Sequence, residues 1–244
     1  RDLVRSRGLG DVYKRQGVSV IVDTTHTAFS PLPACPDADY IAVSLRKWMG
    51  VASGGLAIKR KGTFGVKPIP INKEQFSLRD QALQSRETYE HTGNEDYNKE
   101  GNDVFWKAEF MLREIFDIQE GDEASLKTIL HYPFRDAIRK RQENYRYLLE
   151  HLPERSDIRP VFPYLSDDIC PMFFPFFVEN RDALIKHLAD RHIPPKVYWP
   201  VPPFVKVEDY PGAQYIYSHI MSVSCDERFN TDDMQKIVEA FENY

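Results

Sequence analysis

The chain has 244 residues, 42% hydrophobic and 28% charged, a globular composition with room for one large domain or two ordinary ones, which excludes disordered, collagen-like and coiled-coil classes. Its net charge of -5 offers no field for nucleic acid or an anionic bilayer, and no stretch approaches the roughly 20 apolar residues of a membrane helix. Three scattered cysteines (Cys35, Cys170, Cys225) make no disulfide framework, no CxxC or Cys/His cluster suggests a metal, and a reducing cytoplasm is the expected setting.

Residues 1–16, RDLVRSRGLGDVYKRQ, carry five basic residues against two acidic ones, a net +3 that leaves -8 on the remainder. They show neither helical nor strand periodicity and start without Met. GDVYKRQ resembles translated sequencing-library adaptor; the other reading is a natural basic arm. The segment is set aside from the fold as non-native, and the gene is expected to start upstream.

Val18–Val22 (VSVIV) is a continuous β-branched run ending at Asp23, which predicts a strand buried on both faces. Ile41–Ser44 and Gly55–Lys59 predict two further buried strands, and the three together an α/β sheet. The polar stretch HTGNEDYNKEGND (91–103) reads as a loop. Val104, Phe105, Ala108, Met111, Leu112, Ile115 and Phe116 then recur at helical spacing as one apolar stripe. Another helix is expected from Pro133 to Leu152, where Pro153 stops it. The rest predicts a compact α+β pattern: strand MFFPFFV, a helix from Asn180 to Arg191, strands KVYW and IMSVS, and a final helix after Asn230 with Met234, Ile237, Val238 and Phe241 inward. The expected domains are 17–125 and 126–244, the boundary falling somewhere between Ile118 and Pro133.

The chemistry-bearing residues follow the strands: Asp23-Thr24-Thr25-His26 after the first, Ser44-Leu45-Arg46-Lys47 after the second, Gly54-Gly55 opening the third. Singly, each has a plain structural explanation as a turn, a cap or a solvated charge. Together they suit pyridoxal 5'-phosphate, whose aldehyde needs a lysine amine and whose pyridine nitrogen needs a carboxylate to stay protonated. Lys47 and Asp23 fit these two needs, and Ser44 can donate to the phosphate. Parallel strand ends would place them on one rim of the sheet, where open α/β sheets bind ligands.

With VIVDTTH (Val20–His26), VSLRKWMGVASGGLAI (Val43–Ile58), FFPFFVENRDALIKHLADRHIPPKVYWPVP and IMSVSCDERFNTDDMQKIV, the chain resembles the fold-type-I pyridoxal-phosphate aminotransferases. It is most similar to their DegT-like group, which includes nucleotide-sugar aminotransferases. The resemblance covers Gly17–Tyr244. It implies an α/β fold: the C-terminal part of such an enzyme, a partial cofactor-domain sheet followed by a small α+β domain, with the N-terminal phosphate cradle and ring-stacking residue missing. It further implies that Lys47 forms the Schiff base and moves the substrate proton, Asp23 pairs with the pyridinium, His26 lies near the phenolic oxygen and Ser44 touches phosphate. Tyr198 and Trp199 fall where the small domain would meet substrate, and Arg228 could hold a substrate carboxylate. The implied partners are a small amino donor, a keto acceptor such as a nucleotide-linked keto sugar, and a second copy in a homodimer. The Asn-Tyr-Arg-Met pattern of many sugar aminotransferases is absent before Val104. A pyridoxal-phosphate lyase and a non-catalytic binding protein on the same scaffold are the alternatives.

Overall fold

The computed structural model describes residues 16–31, 38–198 and 200–244. Except for Gln16, the expected non-native segment 1–16 lies outside the described residues, as do Cys35 and Trp199. The chain divides into two compact units: the first runs to Tyr132, and the second is Pro133–Tyr244 joined by Phe29–Pro31. The division falls after Tyr132. The reason is a helix, α3 below, whose N-terminal turn hydrogen-bonds into the first unit.

In the first unit β1 (Ile21–Asp23), β2 (Tyr40–Ser44) and β3 (Gly55–Lys59) form a sheet in that order. β1 runs parallel to β2 with Asp23 opposite Ala42, and β3 runs antiparallel to β2 with Gly55 opposite Ser44. The strands are not buried on both faces: Ile21 is 66% exposed, and Leu56 and Ile58 are exposed too. An apolar run reports what a strand offers for burial, and a three-stranded sheet supplies little to cover it. Burial concentrates instead at Ile41 and in the turn after β2, on Leu45, Trp48, Met49 and Val51.

α1 (Lys73–Thr92) starts where the Asn72 side chain accepts from Gln75 N, and ends at Gly93, whose φ of 67° is the left-handed conformation that favours glycine. α2 (Glu95–Arg113) starts at once, capped by Asn94. The expected loop 91–103 is thus helical except for a tight turn at Gly93 and Asn94, which cap the two helices. A Cβ on Gly101 would stand 3.3 Å from Ser85 Cβ and 3.4 Å from Ala82 O, so small residues let α1 and α2 approach closely. Val104 and Ala108 of the apolar stripe are buried, whereas Phe116 is exposed, as are Trp106 and Phe110 on the same helix. α3 (Glu123–His131) completes the unit, with Asp122 as its N-cap.

The second unit contains α4 (Phe134–His151), β4 (Ile158–Pro160), β5 (Phe174–Val178), α5 (Arg181–Ala189), α6 (Pro211–His219), β6 (Ile220–Val223) and α7 (Thr231–Glu242). Its sheet, β4-β5-β6, is antiparallel throughout. Phe174, Phe176 and Val178 alternate inward along β5 and meet Leu148, Leu184, Leu188, Met221, Met234 and Phe241 in one core. Each large apolar side chain buried there contributes about 1.5–3 kcal/mol. Asn180 caps α5, and Asn230 forms a reciprocal capping box with Asp233 at α7. The described part of the expected strand KVYW, Lys196–Tyr198, forms no strand: a single bridge joins Lys196 to Ser222, since Pro194, Pro195 and Pro200 remove the ladder donors around it.

Candidate functional site

Because β1 and β2 are parallel, Asp23 and Ser44, their last residues, end on one rim, and each strand runs into a single 3-10 turn, Thr25–Thr27 and Leu45–Lys47. Thr25 ties the two turns together. Its N–H donates to Asp23 Oδ1 (2.8 Å), its hydroxyl oxygen accepts from Ser44 N (3.0 Å), and its carbonyl accepts from the Trp48 indole (2.6 Å). Thr24, almost fully buried, donates from its N–H to Ala42 O at 2.8 Å and continues the ladder beyond the strand.

The Thr25 hydroxyl and N–H together hold the exposed Asp23 carboxyl below the usual carboxylate range, with a smaller contribution from His26. Asp23 is therefore a carboxylate at neutral pH. Lys47 closes the second 3-10 turn and is exposed, and its amine makes no hydrogen bond or ion pair among the described residues. The neighbours of Lys47 are fixed all the same: Leu45 and Trp48 are buried, and Trp48 N–H donates to Leu45 O. His26 is exposed in the first 3-10 turn. The Ser44 hydroxyl makes no hydrogen bond among the described residues, its N–H being the group that Thr25 holds.

The segment leading to β3 is closed at its end by Leu45 N donating to Gly54 O (2.8 Å). A Cβ on Gly54 would stand 3.0 Å from Val51 Cγ2 and 3.4 Å from Leu45 Cβ, so the close approach favours glycine. Next to Lys47, Arg46 shares Glu109 Oε1 with the buried Arg79, at 3.0 and 2.8 Å.

An unpartnered primary amine, an ionised carboxylate and a hydroxyl on one strand-end rim make a donor set that fits pyridoxal phosphate: a nucleophile for the aldehyde, an anion for a protonated ring nitrogen, a donor for phosphate. Among the described residues no group of three or more His, Cys, Asp or Glu could hold a metal ion. No helix of the described residues is long and apolar enough to cross a membrane.

The remaining candidates belong to the second unit. The Tyr198 ring packs on Phe173 with centroids 5.1 Å apart. Arg228 presents Nε and Nη2 to Asp226 Oδ1 and Oδ2, each at 3.1 Å, so its fork is held by a neighbouring carboxylate. Cys170 and Cys225 are buried free thiols, and burial pushes both well above the ordinary thiol range. Sequence reasoning left Thr25 and Trp48 without a role. The signal for Thr25 was its place two residues after an aspartate, the spacing of a side-chain turn.

No family model matches the chain. A stretch of 120 residues, 45% of the chain, is 25% identical to a dTDP-3-amino-3,6-dideoxy-alpha-D-galactopyranose transaminase of Aneurinibacillus thermoaerophilus, covering 32% of that protein. Among solved structures, a DegT DnrJ EryC1 StrS aminotransferase from Brucella abortus matches 96% of this chain and 59% of its own length, with TM-score 0.57 and 15% identity. Sugar aminotransferase CalS13 from Micromonospora echinospora matches all of the chain and 64% of its own length (TM-score 0.59, 14% identity). NtdA from Bacillus subtilis, with bound cofactor PMP, also matches the whole chain, over 53% of its own length (TM-score 0.58, 14% identity). The chain thus has the fold of these aminotransferases over the part it spans, about a third of the curated relative and 53–64% of these structures.

Proposed function

We propose that the chain carries the lysine-bearing part of a pyridoxal-phosphate-dependent aminotransferase, which moves an amino group from a small donor to a keto acceptor of the nucleotide-linked sugar class. The observation that carries this reading is the rim of the first unit, where Thr25 bonds the ionised Asp23 and also Ser44 N and the Trp48 indole, which flank the turn that carries Lys47. The bound cofactor would supply an electron sink for the carbanion formed at the substrate carbon. Lys47 would anchor its aldehyde and, once released, carry a proton to and from that carbon. Asp23 would keep the ring nitrogen protonated, His26 would stand by the ring and Ser44 would donate to phosphate. Tyr198, Trp199 and Arg228 are the residues assigned to substrate, Arg228 exchanging Asp226 for a substrate carboxylate. The acceptor class rests on the dTDP-sugar transaminase and sugar aminotransferase relatives. A homodimer belongs to the same reading, and the exposed Trp106, Phe110 and Phe116 along and just beyond α2 offer apolar surface for it.

The test uses the protein expressed from its complete reading frame, incubated with pyridoxal phosphate, reduced with borohydride and mapped by peptide mass spectrometry. The pyridoxyl group is expected on Lys47 and is lost in Lys47→Arg, which keeps the charge without the nucleophilic amine. A stoichiometric label on another lysine refutes the assignment.

A further inference from the structure

The segment between Lys47 and β3 carries a second set of hydrogen bonds, made with the N-terminal turn of α3. Ser125 Oγ accepts from both Ala52 N and Ser53 N, each at 3.1 Å. The Ser53 hydroxyl donates to Asp122 Oδ2 (2.5 Å), and Asp122 N donates back to Ser53 Oγ (3.0 Å). Asp122 Oδ1 meanwhile accepts from Ser125 N at 2.7 Å, which caps α3. Residues 69–73 positions apart in sequence are thus joined by four bonds within one helical turn. Ser125 is buried.

Packing holds the near part of the segment, where Trp48, Met49 and Val51 are buried. Beyond them an open-sided hollow of about 100 Å³ is lined among others by Gly50, Val51, Ala52, Asp122 and Ser125. Beside that hollow the Ala52 and Ser53 N–H groups are held by the Ser125 hydroxyl oxygen. On the other side Trp48 reaches Thr25, and Leu45 N reaches Gly54 O. The turn that carries Lys47 is thus held by Thr25 at the strand rim, and the segment that follows it is held at residues 52–53 by Ser125 and Asp122 from the helix.

We infer that Ser125 and Asp122 are positioning residues for Lys47, the N-terminal turn of α3 holding residues 52–53 so that the lysine's 3-10 turn keeps its place beside Asp23. This deepens the proposed function and rests on it for the identity of what Lys47 holds. The hold on the turn itself is independent of any cofactor.

Ser125→Ala is the direct probe, because it removes the oxygen serving Ala52 and Ser53 but keeps the backbone N–H that donates to the Asp122 cap of α3. Ser125→Thr restores an oxygen. Two measurements on the complete reading-frame product separate the outcomes. In cofactor-free protein, amide hydrogen exchange of the peptide covering residues 45–54 is expected to rise roughly fivefold in Ser125→Ala, the scale of one net hydrogen bond, and to return in Ser125→Thr, with β2 unchanged. In protein loaded with pyridoxal phosphate, the visible band and borohydride mapping should show weaker retention on Lys47 by a similar factor, again recovered by threonine. Wild-type exchange at 45–54 in the alanine variant overturns the inference. Altered exchange with unaltered retention also overturns it, since the clamp would then be structural only. If wild-type protein takes no label on Lys47, the proposed function fails, and the exchange result alone decides whether the clamp holds the lysine turn.

Discussion

Replacing Thr25 with valine tests the link between the fold and the charge state of the candidate site. Valine keeps the β-branched shape and the N–H that donates to Asp23, and deletes only the hydroxyl. That hydroxyl does two things: it accepts from Ser44 N at 3.0 Å and bonds the Asp23 carboxylate. Losing the first leaves a part-buried N–H unpaired, which costs about 1 kcal/mol at any pH. Losing the second raises the Asp23 carboxyl toward its ordinary value near 3.8. A carboxyl held low in the folded state contributes stability that is fully present above its unfolded value and disappears as pH falls through its folded value. The difference between wild type and Thr25→Val should therefore be fully developed at neutral pH, begin to shrink as the pH falls below the ordinary carboxylate range, and approach the Ser44 share alone only below the lowered folded value. Urea unfolding followed by circular dichroism at several pH values measures this. A difference that stays constant or grows on acidification refutes the Thr25–Asp23 coupling, and no difference at neutral pH refutes the role of Thr25 altogether.

Two further outcomes concern the second unit. Asn144 is buried and donates through Nδ2 to Asp226 O (3.0 Å), Phe229 O (3.1 Å) and, at longer range, Cys225 O (3.4 Å), so Asn144→Leu strands these carbonyls and should cost about 2–4 kcal/mol in a urea titration. Tyr145, whose hydroxyl donates to Phe162 O, is pushed up to about 12 by burial; because the unfolded chain releases this proton near its ordinary value of 10.0, stability should fall as pH rises between the two. Tyr145→Phe should flatten that alkaline slope, which urea midpoints across the range would show.

The parts of this architecture that were legible in the sequence are those set by neighbours along the chain. The β-branched run before Asp23, the strand ending at Ser44 and the caps at Asn180 and Asn230 all follow from local rules. α1 was missed because Lys73–Thr92 has no strong apolar stripe; it is specified by its ends, Asn72 and Gly93, and by the small residues along α2. The exposure of Ile21, Leu56 and Ile58 was illegible for a different reason, since periodicity describes a strand's own side chains and carries nothing about what lies over them. At the candidate site, residue types suggested Asp23 and Lys47. The tie through Thr25 and the grip of Ser125, some 70 residues away from the segment it holds, depend on tertiary placement that no local pattern encodes.

The stretch from Trp48 to Gly54 is fastened at Trp48, at Ala52 and Ser53, and at Gly54. Such spacing tolerates changes of side chain where nothing is gripped, as at the exposed Gly50. It does not tolerate a change of length: one residue more or fewer would put every downstream fastening out of step and tilt Gly55 away from its place opposite Ser44. Among descendants of this sequence, insertions and deletions should accordingly be purged from these seven positions while substitutions at Gly50 accumulate, so that gap statistics would mark the segment more sharply than residue identity.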